Sequence, residues 1–122
     1  MSDKPLTERL QVKNGRPLAV VKRPASVPAS LVAGAPEAPV GKADVVLVFA
    51  PDRKRLDAVL TDVAPRLAAN AILWVAYPKL TSSLAGDLNR DIIRAAVPAH
   101  GLDTVSQIAV DDDWSALRLK RV

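Results

Sequence analysis

The sequence runs to 122 residues, 49% apolar and 25% charged, with ten Pro, five Gly and a formal net charge of +4, the profile of a single globular domain over residues 1–122. It has no Cys and one His, His100, which excludes a disulfide scaffold, thiolate zinc sites, cysteine nucleophiles and any centre built on two imidazoles of one chain. The charge is uneven: residues 1–56 hold ten Lys/Arg against five Asp/Glu, and residues 57–122 hold seven against eight.

Residues 1–16 read as a polar lead-in without the hydrophobic core of a signal peptide. No apolar run approaches the ~20 residues that span a bilayer, so a cytoplasmic protein without membrane contact is expected. Leu18-Ala19-Val20-Val21 follows the Asn14-Gly15 turn signal as a short buried strand. Residues 23–43 are irregular: Pro24, Pro28, Pro36 and Pro39 leave room for one short helix near Ala29 to Ala33 and an edge strand near Val40. Val45 to Phe49 is a continuous apolar run, the mark of a strand covered on both faces, and Pro51 stops it. Asp52 then caps a helix whose stripe is Leu56, Val59, Leu60, Val63 and Leu67, with Pro65 ending it early. Ala71 to Tyr77 reads as a central strand stopped by Pro78.

Beyond the loop from Lys79 to Ser82, the residues Leu84, Leu88, Ile92, Ala95 and Ala96 trace a second helix, with Ser82 or Ser83 as N-cap and Pro98 and Gly101 closing it. Asp87–Arg90 and Asp91–Arg94 sit three apart on its polar side. The chain ends in two strand-like runs, Val105 to Val110 and Trp114 to Val122, joined by Asp111-Asp112-Asp113 as a tight antiparallel hairpin. Strands alternating with helices imply right-handed crossovers and a small, mostly parallel α/β sheet with helices on both faces. The closing hairpin adds one reversed strand, which by fold analogy separates a methyltransferase-like Rossmann-type sheet from a dinucleotide-binding one.

Two segments carry a resemblance. One is Leu73-Trp74-Val75-Ala76-Tyr77-Pro78-Lys79 with Asp87-Leu88-Asn89-Arg90-Asp91; the other runs from Gly101-Leu102 through Val105-Ser106-Gln107-Ile108-Ala109-Val110-Asp111-Asp112 to Trp114-Ser115-Ala116-Leu117-Arg118. They resemble a family of short bacterial proteins of unknown function, most clearly over about the last 50 residues. The resemblance implies a small, soluble, methyltransferase-like α/β domain and brings no assigned reaction. Methyltransferases of this fold place a Gly-rich turn after the first strand, against the S-adenosylmethionine carboxypropyl group. Here that turn reads Val21-Lys22-Arg23-Pro24-Ala25-Ser26-Val27-Pro28, with no glycine and two backbone N–H donors removed by proline. Neither S-adenosylmethionine nor a nicotinamide cofactor is expected.

In an open sheet, ligands collect beyond the carboxyl ends of the strands. The residues there are Lys22, Arg23, Pro51, Asp52, Tyr77, Lys79, Asp111 and Asp112. Lys22, Arg23 and Lys79 are candidate anion ligands, aided by the helix that Ser82 and Ser83 begin. The alternative for Lys79 is an ion pair with the Asp turn. Adjacent carboxylates at Asp111, Asp112 and Asp113 lack the alternating spacing of a calcium loop, so no metal is expected. His100 suits a helix end and Trp74 a core position, and Trp114 either anchors the hairpin or meets a ligand or partner. Asn89 and Arg90 form a candidate partner surface.

The primary expectation is thus a non-catalytic module that binds a protein partner or a small anionic ligand at the carboxyl edge. The alternatives are a small enzyme using Lys79 with Asp111 or Asp112 on a phosphorylated or carboxylated substrate, and nucleic-acid binding through the basic first half. Lys22-Arg23 and Arg53-Lys54-Arg55 supply that basicity, but no aromatics interleave with them, and a solvated face accounts for them equally.

Overall fold

The computed structural model describes residues 6–12, 16–25, 27 and 36–121. The short helix expected near Ala29 to Ala33 lies outside them. The described elements are α1 (Leu6–Arg9), β1 (Leu18–Val21), β2 (Val45–Phe49), α2 (Arg53–Val63), β3 (Ile72–Pro78), α3 (Arg90–Ala96), β4 (Leu102–Ala109) and β5 (Trp114–Arg121). They form one sheet in the order β1-β2-β3-β5-β4. β1·β2 and β2·β3 are parallel, whereas β3·β5 and β5·β4 are antiparallel, so the sheet is mixed, with β5 as its reversed strand.

The continuous apolar runs behave as their composition demands. All five residues of β2 are buried, and successive side chains alternate between two cores. Val46 and Val48 join Leu73, Val75, Leu117 and Leu119 on one face. Val45, Leu47 and Phe49 join Trp74, Ala76, Trp114 and Ala116 on the other. The first core is closed by Leu56, Val59, Leu60 and Val63 of α2 and by Ile93 and Ala96 of α3. The second is closed by Leu6 of α1 with Leu10, Val12 and Val27.

Both longer helices therefore feed the same core, whereas the sequence pattern distributes helices over two faces. The strand order supplies the reason: right-handed crossovers that step across a sheet in one direction lay their helices on one side. From β2 to β3 and from β3 to β4 the steps run the same way.

α2 begins where expected, with the Asp52 carboxylate accepting from the Arg55 N–H at 2.8 Å. It ends at Val63, and Pro65 falls in the 3-10 turn Ala64–Arg66 that follows. α3 departs from its predicted start. Leu84 and Asp87 lie in the preceding loop, and the N-cap is Asn89, whose side chain accepts from the Ile92 N–H at 2.9 Å. Leu88 before the cap and Ile93 at the fourth helical position share the same core, a hydrophobic staple that fixes the entry at this point. The edge strand expected near Val40 is instead a 3-10 turn, Val40–Lys42. Pro36 and Pro39 cannot donate to a ladder, and β1 meets that segment through one parallel bridge, Leu18 to Glu37. No helix among the described residues is long and apolar enough to cross a membrane.

Candidate functional site

The carboxyl ends of β1, β2 and β3 open on a cleft of about 830 Å³, within the range of small-molecule sites. Its cations are Lys22 and Arg23, immediately after β1, and Arg55 on α2. Arg55, Ala58, Val59 and Asp62 line one wall, at the i, i+3, i+4, i+7 spacing that puts them on one face of the helix. Phe49 and Trp114 form an apolar floor, both almost fully buried, with ring centroids 5.3 Å apart in an edge-to-face arrangement. Pro24, Pro51, Pro78 and Leu84 complete the wall.

The turn after β1 has an unusual backbone. Lys22 has φ = 61°, a left-handed conformation that an L side chain other than Asn or Asp rarely adopts. Arg23 folds back and donates to the Val27 carbonyl. Arg55 is solvated, its side chain 69% exposed and 3.9 Å from the Asp52 carboxylate.

The other predicted residues have different employments. Tyr77 is buried in the first core, where desolvation pushes its phenol above the ordinary value of 10.0 against the opposing charge of Arg90. Lys79 lies outside the cleft lining and forms no ion pair with the Asp turn among the described residues. Its backbone N–H donates to the Asp113 carbonyl at 2.8 Å, and the Ser82 hydroxyl donates to the Asp113 carboxylate at 2.8 Å. The loop after β3 is thus fastened to the hairpin by short groups, which hold a fixed geometry at lower entropic cost than a lysine. Ser82 also accepts from the Leu84 N–H, a local turn and not a helix cap, so the helix terminus assigned to the anion site is absent.

Asp111 is consumed by the hairpin: one carboxylate oxygen accepts from the N–H groups of Asp113 and Trp114, both at 2.8 Å. Asp112 is exposed at the tip. Among the described residues no three His, Cys, Asp or Glu are placed to hold a metal. Trp114 is floor of the cleft and not an exposed partner surface. Asn89 is spent as the α3 cap, while Arg90 beside it is exposed.

Two polar arrangements were missed from sequence. Asp87 reaches across to α2 and accepts from the Arg53 N–H at 2.8 Å, so the helix start carries two carboxylate caps, Asp52 and Asp87. Asp57 bridges Arg53 at 3.1 Å and His100 at 3.2 Å. The His100 hydrogen bond chiefly holds the Asp57 carboxyl below its ordinary value of 3.8, with Arg53 adding to the effect and partial burial opposing it.

Comparison with known structures defines the class: this is a methyltransferase-like α/β fold. The chain superimposes on a ribosomal protein L11 methylase from Lactobacillus delbrueckii subsp. bulgaricus with a TM-score of 0.58 at 13% identity, covering 93% of this chain and 73% of that one. It matches the B. subtilis M1A22 tRNA methyltransferase TrmK with a TM-score of 0.57 at 10% identity, covering 100% and 67%. For the mitomycin 7-O-methyltransferase MmcR the TM-score is 0.57 at 12% identity, covering 88% of this chain but only 50% of that enzyme. These identities establish the fold alone. Residues 36–122 match the family described as "Protein of unknown function (DUF3052)", and the chain belongs to that family. No curated protein matches the sequence.

Proposed function

We propose that this protein is a non-catalytic binding module that holds a small anionic ligand in the cleft at the carboxyl edge of its sheet. One observation carries the proposal: Lys22, Arg23 and Arg55 converge on a cleft whose lining, among the described residues, contains a single carboxylate, Asp62. The excess positive charge favours an anion.

The same charge disfavours S-adenosylmethionine, the cofactor that the fold brings to mind, because its sulfonium would enter a cationic cleft. The turn after β1 also lacks the glycine such a cofactor's backbone contacts need, with Lys22, Arg23 and Pro24 lining that position. No methyl transfer is therefore assigned. The enzyme alternative loses its chemical groups, since Lys79, Asp111 and Asp112 are not among the cleft residues. The basic first half offers a nucleic acid no aromatic platform among these side chains, because Phe49 and Trp114 are the floor and not the rim.

The test is titration with inorganic phosphate, followed by amide chemical shifts, of the wild type, Lys22→Gly and Arg55→Gln. Lys22→Gly removes a cation and also the left-handed strain, so it should be as stable as wild type or up to about 1 kcal/mol more stable. Both variants are expected to weaken phosphate binding. Phosphate that leaves residues 22, 23 and 55 unperturbed, or binds both variants as it binds wild type, would refute the assignment.

A further inference from the structure

Resting on the anion-binding assignment, we infer that the ligand is amphiphilic: a compact anionic head on an aromatic or short aliphatic body, with the body seated in the cleft. Three cations alone would suit a bare inorganic anion, but most of the lining is apolar. Phe49, Trp114, Val59, Ala58 and Leu84 offer no hydrogen-bonding side chain except the Trp114 indole, and Pro24, Pro51 and Pro78 have no N–H to offer. A naked phosphate would leave the solvent-accessible part of this lining, Ala58, Leu84, Pro24 and Pro51, wet, whereas a ring or chain removes it from water. Leu84 is 44% exposed on a polar loop, an apolar side chain placed at the cleft wall.

The charges also give the ligand a direction. Arg55 lies in the first turn of α2, and Lys22 and Arg23 follow β1, so all three cations belong to the carboxyl edge of the sheet. Asp62 lies seven residues further along the helix, roughly 10 Å from Arg55 at 1.5 Å per residue. A head at the edge meets the cations and avoids the carboxylate, and the body extends inward along α2. Size agrees, because a cleft of about 830 Å³ exceeds the needs of a lone inorganic anion.

Three probes separate the parts: 1-naphthyl phosphate, inorganic phosphate and neutral 1-naphthol, each titrated calorimetrically and by amide shifts. Burying about 55 Å² of ring surface already corresponds to a tenfold gain at ~25 cal/mol per Å². Naphthyl phosphate is therefore expected to bind at least about tenfold more tightly than phosphate, and naphthol more weakly than its phosphate ester. Leu84→Ser should narrow the affinity gap between the two phosphates, and a gap as wide as in wild type would overturn the seating of the body against this wall. Equal affinity for the two phosphates at Lys22 and Arg55 would overturn the amphiphilic ligand and leave the anion site standing. Binding of neither would overturn both, as would naphthol binding as tightly as naphthyl phosphate.

Discussion

Trp74→Ala should be the most damaging single substitution in the sheet. Trp74 lies mid-strand in β3, in register with Leu47 of β2 on one side and Arg118 of β5 on the other, and its side chain is 2% exposed. It also carries a tertiary hydrogen bond, from its indole N–H to the Leu10 carbonyl at 3.0 Å, which ties the N-terminal segment to the sheet. Truncating a buried tryptophan costs about 3–5 kcal/mol, a large part of the roughly 5–15 kcal/mol that stabilises a domain. Trp74→Phe keeps most of the ring volume but leaves the Leu10 carbonyl without its donor, at a cost of about 1–3 kcal/mol. Urea denaturation followed by far-UV circular dichroism measures both. On thermal melting Trp74→Ala should lower Tm by roughly 10–20 °C and Trp74→Phe by several degrees. A loss under about 1 kcal/mol for Trp74→Ala would refute the central placement of β3, and a Trp74→Phe variant as stable as wild type would refute the separate role of the hydrogen bond.

Other substitutions probe the loops and the pH dependence. Asp87→Ala removes the cap on the Arg53 N–H and should destabilise the fold by about 0.5–2 kcal/mol, measured by denaturant titration, although residue 87 belongs to no helix. Asp57 has a folded pKa below its ordinary 3.8, so the stability it contributes is present above that value and lost as pH falls through the folded pKa. Wild type should accordingly be more stable than Asp57→Asn at pH 7, with the difference vanishing on acid titration below the Asp57 transition. Tyr77 has the opposite sign: its raised pKa favours the neutral phenol in the fold, so stability falls as pH climbs above 10.0, and Tyr77→Phe should flatten that alkaline loss in denaturation curves. Lys79→Ala should change neither phosphate affinity nor stability by more than about 0.5 kcal/mol, because its contact with the hairpin is made by the backbone.

What the sequence made legible were the features set by neighbours along the chain. The apolar runs Val45 to Phe49 and Ala71 to Tyr77 read as strands covered on two faces, and Asp52 before a three-and-four spaced stripe reads as the start of a helix. The hairpin was equally local, since Asp111 bonds two and three residues ahead. The start of α3 misled because Leu84 falls in phase with Leu88 and Ile92, although Leu84 is 44% exposed and serves the cleft. The Leu88-Asn89 staple and cap were present in the sequence as a competing signal. Asp87 bonding Arg53, and Asp57 bonding His100, join residues far apart in the chain, so no periodicity announces them. Of the candidate site, Lys22 and Arg23 were expected from strand-end topology and line the cleft. Arg55 was visible only as one of three consecutive basic residues, and only the helix face it shares with Ala58, Val59 and Asp62 distinguishes it from Arg53 and Lys54.

The prolines limit how this edge can hold the proposed anion. Pro24, Pro51 and Pro78 line the cleft close to the ends of β1, β2 and β3, where phosphate-binding loops of other α/β proteins present backbone N–H groups. At the α2 terminus, Asp87 and Asp52 already accept from the Arg53 and Arg55 N–H groups. Recognition of the proposed anion falls to side-chain charge on Lys22, Arg23 and Arg55, and such charge is screened at ionic strengths that barely affect a backbone cradle. Phosphate affinity should therefore fall severalfold as salt rises from about 0.05 M to about 0.5 M, where the screening length shortens from over 10 Å to under 5 Å. Affinity that stayed constant across that range would mean that backbone N–H groups, not these three cations, hold the anion.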